Sequence, residues 1–440
     1  MTQNPHTVAV IGAGPVGLAA AAHLASRGIE PLVFEVGDAV GASIREWGHV
    51  RVFSPWEFNI DPAAAQLLAE AGWNAPDADA YPTGDEIVER YLEPLAGLPA
   101  IAPALHLGAR VTAVTRHGID KLKDAGREDA PYELVVEEAG EERRYLASAV
   151  IDASGTWTRP NPLGAGGLAA QGERAAADRI AYGIPDVLGT DRERYAGRRV
   201  LVVGSGHSAF NAILDLVTLR DSEPDTEIVW AIRGAAPGRK YGGGGDDQLP
   251  ARGALGATVR GLVDDGSVQL VGGFQVRKLS LEDGRVSVTS GGTTVIADEI
   301  IAATGFRPDL SLLGELRLDL DDRVEAARAL APLIDPNLHS CGSVPPHGVD
   351  ELSHPDEGVF MVGMKSYGRA PTFLLRTGYE HVRSVVAALA GDWESARRVE
   401  LVLPETGVCN ARPAPEVELA AAPSACCGSG SPHADATAAA

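Results

Sequence analysis

Short, unbroken apolar runs alternate with longer stretches of helical period along this chain, and glycine marks the joins. Val8–Ile11 is such a run. It stops at "GAGPVG", an Ala- and Leu-rich stretch follows from Pro15 to Ser26, Gly28 closes it, and a second run, "PLVFE", ends in Glu35. This predicts strand, helix and strand in one unit. The pattern returns in "RRVLVVGSGHSAFNAILDLVTL": a strand over Val200–Val203, a helix, and a further strand in "TEIVWAIRG". Two more apolar runs end in small-residue turns, "SAVIDASGTWTRPNP" and "DEIIAATGFRPDL", and read as crossings between two domains. Late in the chain, Pro371 precedes a long helical pattern ending near Gly391, where Pro is favoured at a helix start. From about Ala411 the residues become Ala, Pro, Glu, Ser and Gly with little to bury, which reads as a disordered extension.

The predicted fold class is α/β, with two Rossmann-like dinucleotide-binding domains. The first is discontinuous, over 1–160 and 331–405. The second, over 161–330, is inserted within it, and a Cys-containing tail covers 406–440. A chain of 440 residues is long enough for two or three cores.

The glycines carry the first chemical signal. Gly12, Gly14 and Gly17 form G-x-G-x-x-G between strand and helix. The first glycine permits the tight turn, the second lets backbone approach a pyrophosphate, and the third lets helix and strand pack closely. Phosphates then sit on the helix N-terminus, where free N–H groups favour anions. Glu35, 23 residues after Gly12, is placed to accept from ribose hydroxyls. Gly204, Gly206 and Ala209 repeat the loop, with His207 and Ser208 as phosphate or ribose neighbours. Here the following strand ends in Arg233 rather than an acid, and Arg239 and Lys240 follow. Arginine binds a 2′-phosphate that an acid would repel, so this site reads as NADPH. Two dinucleotide sites imply redox traffic, with FAD at the first and NADPH at the second.

Charge and cysteine usage narrow the setting. The net charge of −22 argues against nucleic-acid or anionic-membrane partners and for a soluble cytoplasmic protein. No signal peptide and no run of about 18 uninterrupted apolar residues is read. Four cysteines make no disulfide framework.

The two loops, the "SGTWTRPNP" and "ATGFRPD" turns and the segment "HVRVFSPWEFNID" resemble the flavin-containing, class B-type monooxygenases, over roughly residues 6–395. More narrowly, "HSCGSV", "GMKSYGRAPTFLL" and "ETGVC" resemble flavoproteins found with bacterial arsenic-resistance genes. The resemblance implies that NADPH reduces the flavin, that reduced flavin takes up O2 as a hydroperoxide, and that a soft nucleophile, such as a trivalent arsenical, attacks the distal oxygen. It places Trp56 and Asn59 facing the flavin, with Asn59 as a peroxide donor, and Arg45 and Trp47 nearby. Core packing for the tryptophans, a turn role for Asn59 and a surface role for Arg45 remain open beside these. Gly363, Met364, Pro371 and Thr372 are assigned to the ring's anionic edge. The monooxygenase fingerprint F-x-G-x-x-x-H is missing; Tyr182 and Gly183 are its nearest match. The pyridine-nucleotide disulfide reductases share the architecture, but no two cysteines here have their C-x2-C or C-x4-C spacing, and Met364 stands where they carry an acid. The alternatives are an NADPH-dependent flavin oxidoreductase serving a disulfide, quinone or protein partner, and a non-catalytic metalloid- or redox-sensing flavoprotein.

His339, Cys341, His347 and His354 share one loop at spacings that match no familiar zinc site; a turn-forming loop with a buried Cys341 and a substrate-facing wall with Cys341 as a ligand to a soft atom both stay open. Cys426 and Cys427 are adjacent in the tail, with Cys409 at its root. Neighbouring cysteines make a strained bridge, so they read as thiols. A soft metalloid prefers thiolate ligands, and Cys426 and Cys427 are the expected pair.

Overall fold

The computed structural model describes residues 7–237, 241, 247, 249–338, 344–345, 347–371 and 373–400. Sixteen strands run through it. The first sheet is parallel, in the order β16-β7-β1-β2-β3. Its strands are β1 (Thr7–Ile11), β2 (Glu30–Phe34), β3 (Leu105–His106), β7 (Ala149–Asp152) and β16 (Val359–Met361). The second is also parallel, in the order β11-β10-β9-β15-β8. It contains β8 (Ile180–Tyr182), β9 (Arg199–Val203), β10 (Glu227–Ala231), β11 (Gln269–Val271) and β15 (Glu299–Ala302).

The two sheets are copies in topology. Each runs strand, helix, strand, third strand, then a three-stranded antiparallel sheet, then a fourth strand back beside the first. The antiparallel sheets are β4 (Ala109–Arg116), β5 (Tyr132–Glu138) and β6 (Glu141–Ala147), and β12 (Lys278–Glu282), β13 (Arg285–Ser290) and β14 (Thr293–Ala297). The fifth strand of each sheet is supplied after a crossing: the chain leaves β7 and enters the second sheet as β8, then leaves β15 and returns to the first as β16. The α/β architecture expected from the two repeated units is therefore the one observed.

The first helix, α1 (Pro15–Ser26), starts and stops where its pattern predicts, with Pro15 at its first position and Gly28 at φ +70° behind its C-cap. It is buried almost all round, because β1 and β7 lie under it and the late helix α4 (Leu375–Leu389) lies over it. In the second unit, α2 (His207–Ser222) and α3 (Pro250–Asp264) pack on each other. The late helix differs from expectation. It starts at Leu375, after an extended Leu374 cap, and not at Pro371, which is exposed and outside it. Its end is as read, with Gly391 at φ +81° beyond Ala390.

Where the two crossings meet they zip together. Asn161 N–H donates to Gly305 O, Arg307 N–H to Arg159 O, and the Thr304 hydroxyl to Asn161 O. Trp157 stacks on Phe306 with ring centroids 4.5 Å apart.

Candidate functional site

Both glycine loops are built by the same contacts. Gly12 N–H donates to Phe34 O at 2.7 Å, and Gly204 N–H donates to Ala231 O at 3.1 Å. Gly12 has φ +99° and Gly204 φ +139°. A Cβ at Gly12 would lie 2.9 Å from Ala153 O, and one at Gly204 only 2.1 Å from Ala303 O. Each first glycine thus lets its turn press against the end of the fourth strand. Gly14 and Gly206 have nothing within 4 Å of a built Cβ, and each caps its helix without a side-chain hydrogen bond. That is open room in front of first-turn N–H groups, the cradle a phosphate needs. A Cβ at Gly17 would be 1.9 Å from Gly12 O, whereas Ala209, its counterpart, is accommodated fully buried.

Glu35 is buried just past β2, where its carboxylate accepts from Ala13 N–H at 2.7 Å and from Gly37 N–H at 2.9 Å. One amide falls on each oxygen, which leaves acceptor capacity on both for hydroxyls. In the second unit Arg233 is exposed two residues beyond β10, and Arg239 and Lys240 lie outside the described residues. His207 opens α2 with its ring 5.0 Å from Phe53 of the first unit. Burial, with the Arg252 cation adding to it, brings the His207 imidazole down to about 4, so it is neutral near pH 7. Ser208 is half-buried beside it.

A cavity of about 150 Å³ opens at the first loop. Gly12, Gly14, Pro15 and Val16 form one side, Gly41 to Ile44 a second, Ala153 to Gly155 with Trp157 a third, and Gly363, Met364, Phe373 and Leu375 the last. It sits at the carboxyl ends of β1 and β7, the switch point where parallel α/β sheets take ligands. Trp157 is held there by its indole N–H, which donates to Glu46 at 2.7 Å.

Behind this wall lies an ion pair that the sequence reading missed. Lys365 and Asp152 are both 0% exposed, and Lys365 Nζ lies 2.5 Å from Asp152 Oδ2. The ammonium also donates to Ser154 Oγ at 2.9 Å, and Ser154 Oγ donates to Asp152 Oδ1 at 2.7 Å. A charged residue in the apolar strand "AVID", and another in "FMVGMK", were the available signals: buried charges require partners.

A second buried arrangement was also missed. His347 Nδ1 is 2.9 Å from Pro345 O, a carbonyl that only accepts, so this nitrogen carries the hydrogen. His347 Nε2 then holds a lone pair. His381 Nε2, 2.8 Å away, must donate to it. That leaves His381 Nδ1 to accept from Gly363 N–H at 3.3 Å. One tautomer of each ring satisfies the chain, and it ends on the backbone of a cavity residue. Burial pushes both imidazoles below their usual value.

The other predicted site residues divide clearly. Gly12, Gly14, Gly363 and Met364 line the cavity, while Gly17 packs beneath its floor. Trp56, Asn59, Arg45 and Trp47 are not among the lining residues. Trp56 is 1% exposed within the first core, with Arg90 over its ring. Asn59 spends both amide hydrogens on the Ser54 and Pro55 carbonyls at 2.8 Å, so none is left for a ligand. The expected peroxide donor is instead a turn clamp. Its carbonyl accepts from Tyr379 of α4 at 2.8 Å, which ties the turn to that helix. Arg45 donates to Val40 O and pairs with Glu93 at 2.8 Å. Trp47 is half-buried, 6.5 Å from Trp157 between ring centroids. Cys341, Thr372, Cys426 and Cys427 lie outside the described residues, as do His339 and Cys409. His354 Nδ1 accepts from Asp319 N–H, and no cluster of three metal-ligating side chains occurs among the described residues. No helix among them is long and apolar enough to cross a membrane.

Known proteins with similar sequences and folds point the same way. Residues 7–79 match the family described as FAD dependent oxidoreductase. The indole-3-pyruvate monooxygenase YUCCA6 of Arabidopsis thaliana is 27% identical over 210 residues, 47% of this chain and 44% of that protein. The match thus spans about half the length of this curated relative. Among solved structures, bacillithiol disulfide reductase from Bacillus cereus superposes with a TM-score of 0.65 at 21% identity, covering 88% of this chain and 99% of that one. A flavin-containing monooxygenase from Stenotrophomonas maltophilia gives 0.53 at 20% identity, covering 88% and 98%. At these identities the solved structures establish the shared fold. Residues 7–79 thus carry the sequence match to FAD-dependent oxidoreductases, within a fold shared with these flavoenzymes.

Proposed function

We propose that the chain is an NADPH-dependent FAD monooxygenase that oxygenates a soft nucleophile, with trivalent arsenicals as its substrate class. The observation that carries this reading is the cavity wall. It joins a phosphate cradle at Gly14 to a mostly apolar chamber, and the four cysteines of the sequence nowhere fall at the C-x2-C or C-x4-C spacing of a flavin-linked disulfide. A flavin that reduces a disulfide through its own chain needs a cysteine pair beside the ring; one that reacts with O2 needs a dry, shaped space. The likeness to YUCCA6 and to the bacterial flavin-containing monooxygenase supports the same choice.

In this reading Gly12, Gly14 and Gly17 hold the FAD pyrophosphate on α1, and Glu35 accepts from the adenosine ribose. Gly204, Gly206, Ser208 and Ala209 hold the NADPH pyrophosphate on α2, with Arg233 toward the 2′-phosphate. Bound FAD supplies hydride acceptance and reaction with O2. Gly363 and Met364 fit the ring edge, and the His381–His347 chain holds the Gly363 backbone in place. Trp157 and Phe373 exclude water. Trp56 and Asn59 brace the wall from behind.

The overall reaction balances as NADPH, a proton, O2 and the nucleophile giving NADP⁺, water and the oxygenated product. Cys341, Cys426 and Cys427 are proposed to capture the thiophilic centre before oxygenation. The test is turnover with NADPH, a trivalent arsenical and 18O2. One labelled oxygen in the product is expected. NADPH oxidation at an equal rate without O2, driven by an added quinone or disulfide, would replace this reading with electron transfer to a partner.

A further inference from the structure

The Asp152–Lys365–Ser154 cluster does more than neutralise itself. A serine hydroxyl has one hydrogen and two lone pairs. Ser154 gives its hydrogen to Asp152 Oδ1 at 2.7 Å, and one lone pair takes a hydrogen from Lys365 Nζ at 2.9 Å. Its backbone N–H is also committed to Asp152 Oδ1, at 3.1 Å. What remains is a single lone pair on a residue that lines the cavity. Both neighbours are charged and 0% exposed, so neither can turn away to water and free the hydroxyl to rotate. Ser154 therefore meets a ligand as an acceptor and never as a donor.

Its place selects what it accepts from. A Cβ on Gly12 would lie 3.0 Å from Ser154 Cα, so Ser154 sits against the phosphate turn. On the cavity's other sides stand Gly363 and Met364, assigned above to the ring edge. In FAD, the segment joining pyrophosphate to ring is the ribityl chain, with three hydroxyl donors. We propose that Ser154, polarised by Lys365 and Asp152, accepts a hydrogen bond from a ribityl hydroxyl and so fixes how far the ring reaches into the cavity. Lys365 and Asp152 are positioning residues that act through Ser154. This rests on the reading that FAD occupies the first loop.

The test is a binding cycle on the full-length apoprotein, read by flavin fluorescence. FAD and three analogues, each lacking one ribityl hydroxyl, are titrated into wild type and Ser154→Ala. Loss of one such bond is expected to weaken FAD about three- to tenfold. One analogue should weaken wild type by a similar factor and produce no further loss in Ser154→Ala. Ser154→Thr, which keeps the hydroxyl, should restore the affinity, and this separates a lost bond from a damaged fold. The double variant Asp152→Asn/Lys365→Met removes both charges together and should shrink the coupling. Additive losses for all three analogues would overturn the proposal while leaving FAD at the first loop intact. FAD affinity indifferent to Gly14→Val would overturn that reading and this one with it.

Discussion

The His347–His381 pair makes a quantitative claim about acid stability. Both rings are neutral, since a proton on His347 would set two N–H groups against each other across the 2.8 Å Nε2–Nε2 contact, and one on His381 would set its Nδ1–H against Gly363 N–H. Burial lowers both, while Glu351 and Glu380 pull His347 the other way. In the unfolded chain each imidazole takes up a proton near pH 6.5. Folded values below that mean the unfolded state binds more protons as pH falls. The pair's contribution is therefore fully present above about pH 6.5 and is lost on acidification toward the folded values. Each ring contributes up to about 1.4 kcal/mol per pH unit, or about 2.7 for the pair. His347→Gln/His381→Gln keeps a donor and an acceptor at both positions and takes up no proton. Urea unfolding of wild type and this variant at pH 8, 7, 6 and 5 measures the difference. Wild type should lose more stability than the variant as pH falls from 7 to 5, by no more than about 1 kcal/mol per pH unit for each ring that stays neutral. Parallel curves would refute the assignment of two neutral, acid-resistant rings.

Three other outcomes follow from the same structure. Asp215 on α2 is raised by burial from 3.8 to about 6, so its penalty appears as pH rises through that interval. Asp215→Asn should raise stability at pH 8 by at most about 3 kcal/mol, at 1.36 kcal/mol per pKa unit, and change nothing at pH 3.5, as thermal melts would report. Asp356 accepts two hydrogen bonds from the buried Arg127, at 2.6 and 2.8 Å, and pins β4–β6 to the segment before β16. Asp356→Ala leaves a buried cation and should cost about 3–5 kcal/mol in a denaturation curve. Gly17→Ala would drive a methyl into Gly12 O and should abolish flavin retention on purification, whereas Ala209→Gly in the second loop should leave NADPH affinity within about twofold, because no such clash exists there.

The elements whose identity depends on neighbours in sequence were legible. Both glycine loops, α1 and the two crossings follow from local pattern, because a G-x-G-x-x-G turn between apolar strand and helix has few other ways to fold. Glu35 was placed by counting along the same unit. The site's interior was not legible in the same way. Lys365 meets Asp152 across 213 positions, and the two join only because β7 and β16 are neighbours in the sheet. His381 meets His347 across 34 positions by a helix returning over a loop. Asn59 and Trp56 were placed by resemblance of their segment, but the Asn59 amide is spent on the Ser54 and Pro55 carbonyls and the Trp56 ring is buried in the first core. Pro371 misled for a local reason: proline opens helices often, yet here the helix begins only after an extended Leu374, and Phe373 before it lines the cavity.

In the proposed reading, electrons pass from NADPH at the second loop to FAD at the first and on to O2, one oxygen of which enters a soft substrate. The most direct measurement is rapid mixing in two stages, following flavin absorbance. Anaerobic mixing with NADPH should bleach the flavin much faster than mixing with NADH. Subsequent mixing with O2 should return the oxidised spectrum at a rate that rises with the concentration of a trivalent arsenical, with O2 and NADPH consumed one to one. Reduced flavin that ignores O2 and every nucleophile, and reoxidises only with a quinone or disulfide, would contradict the account.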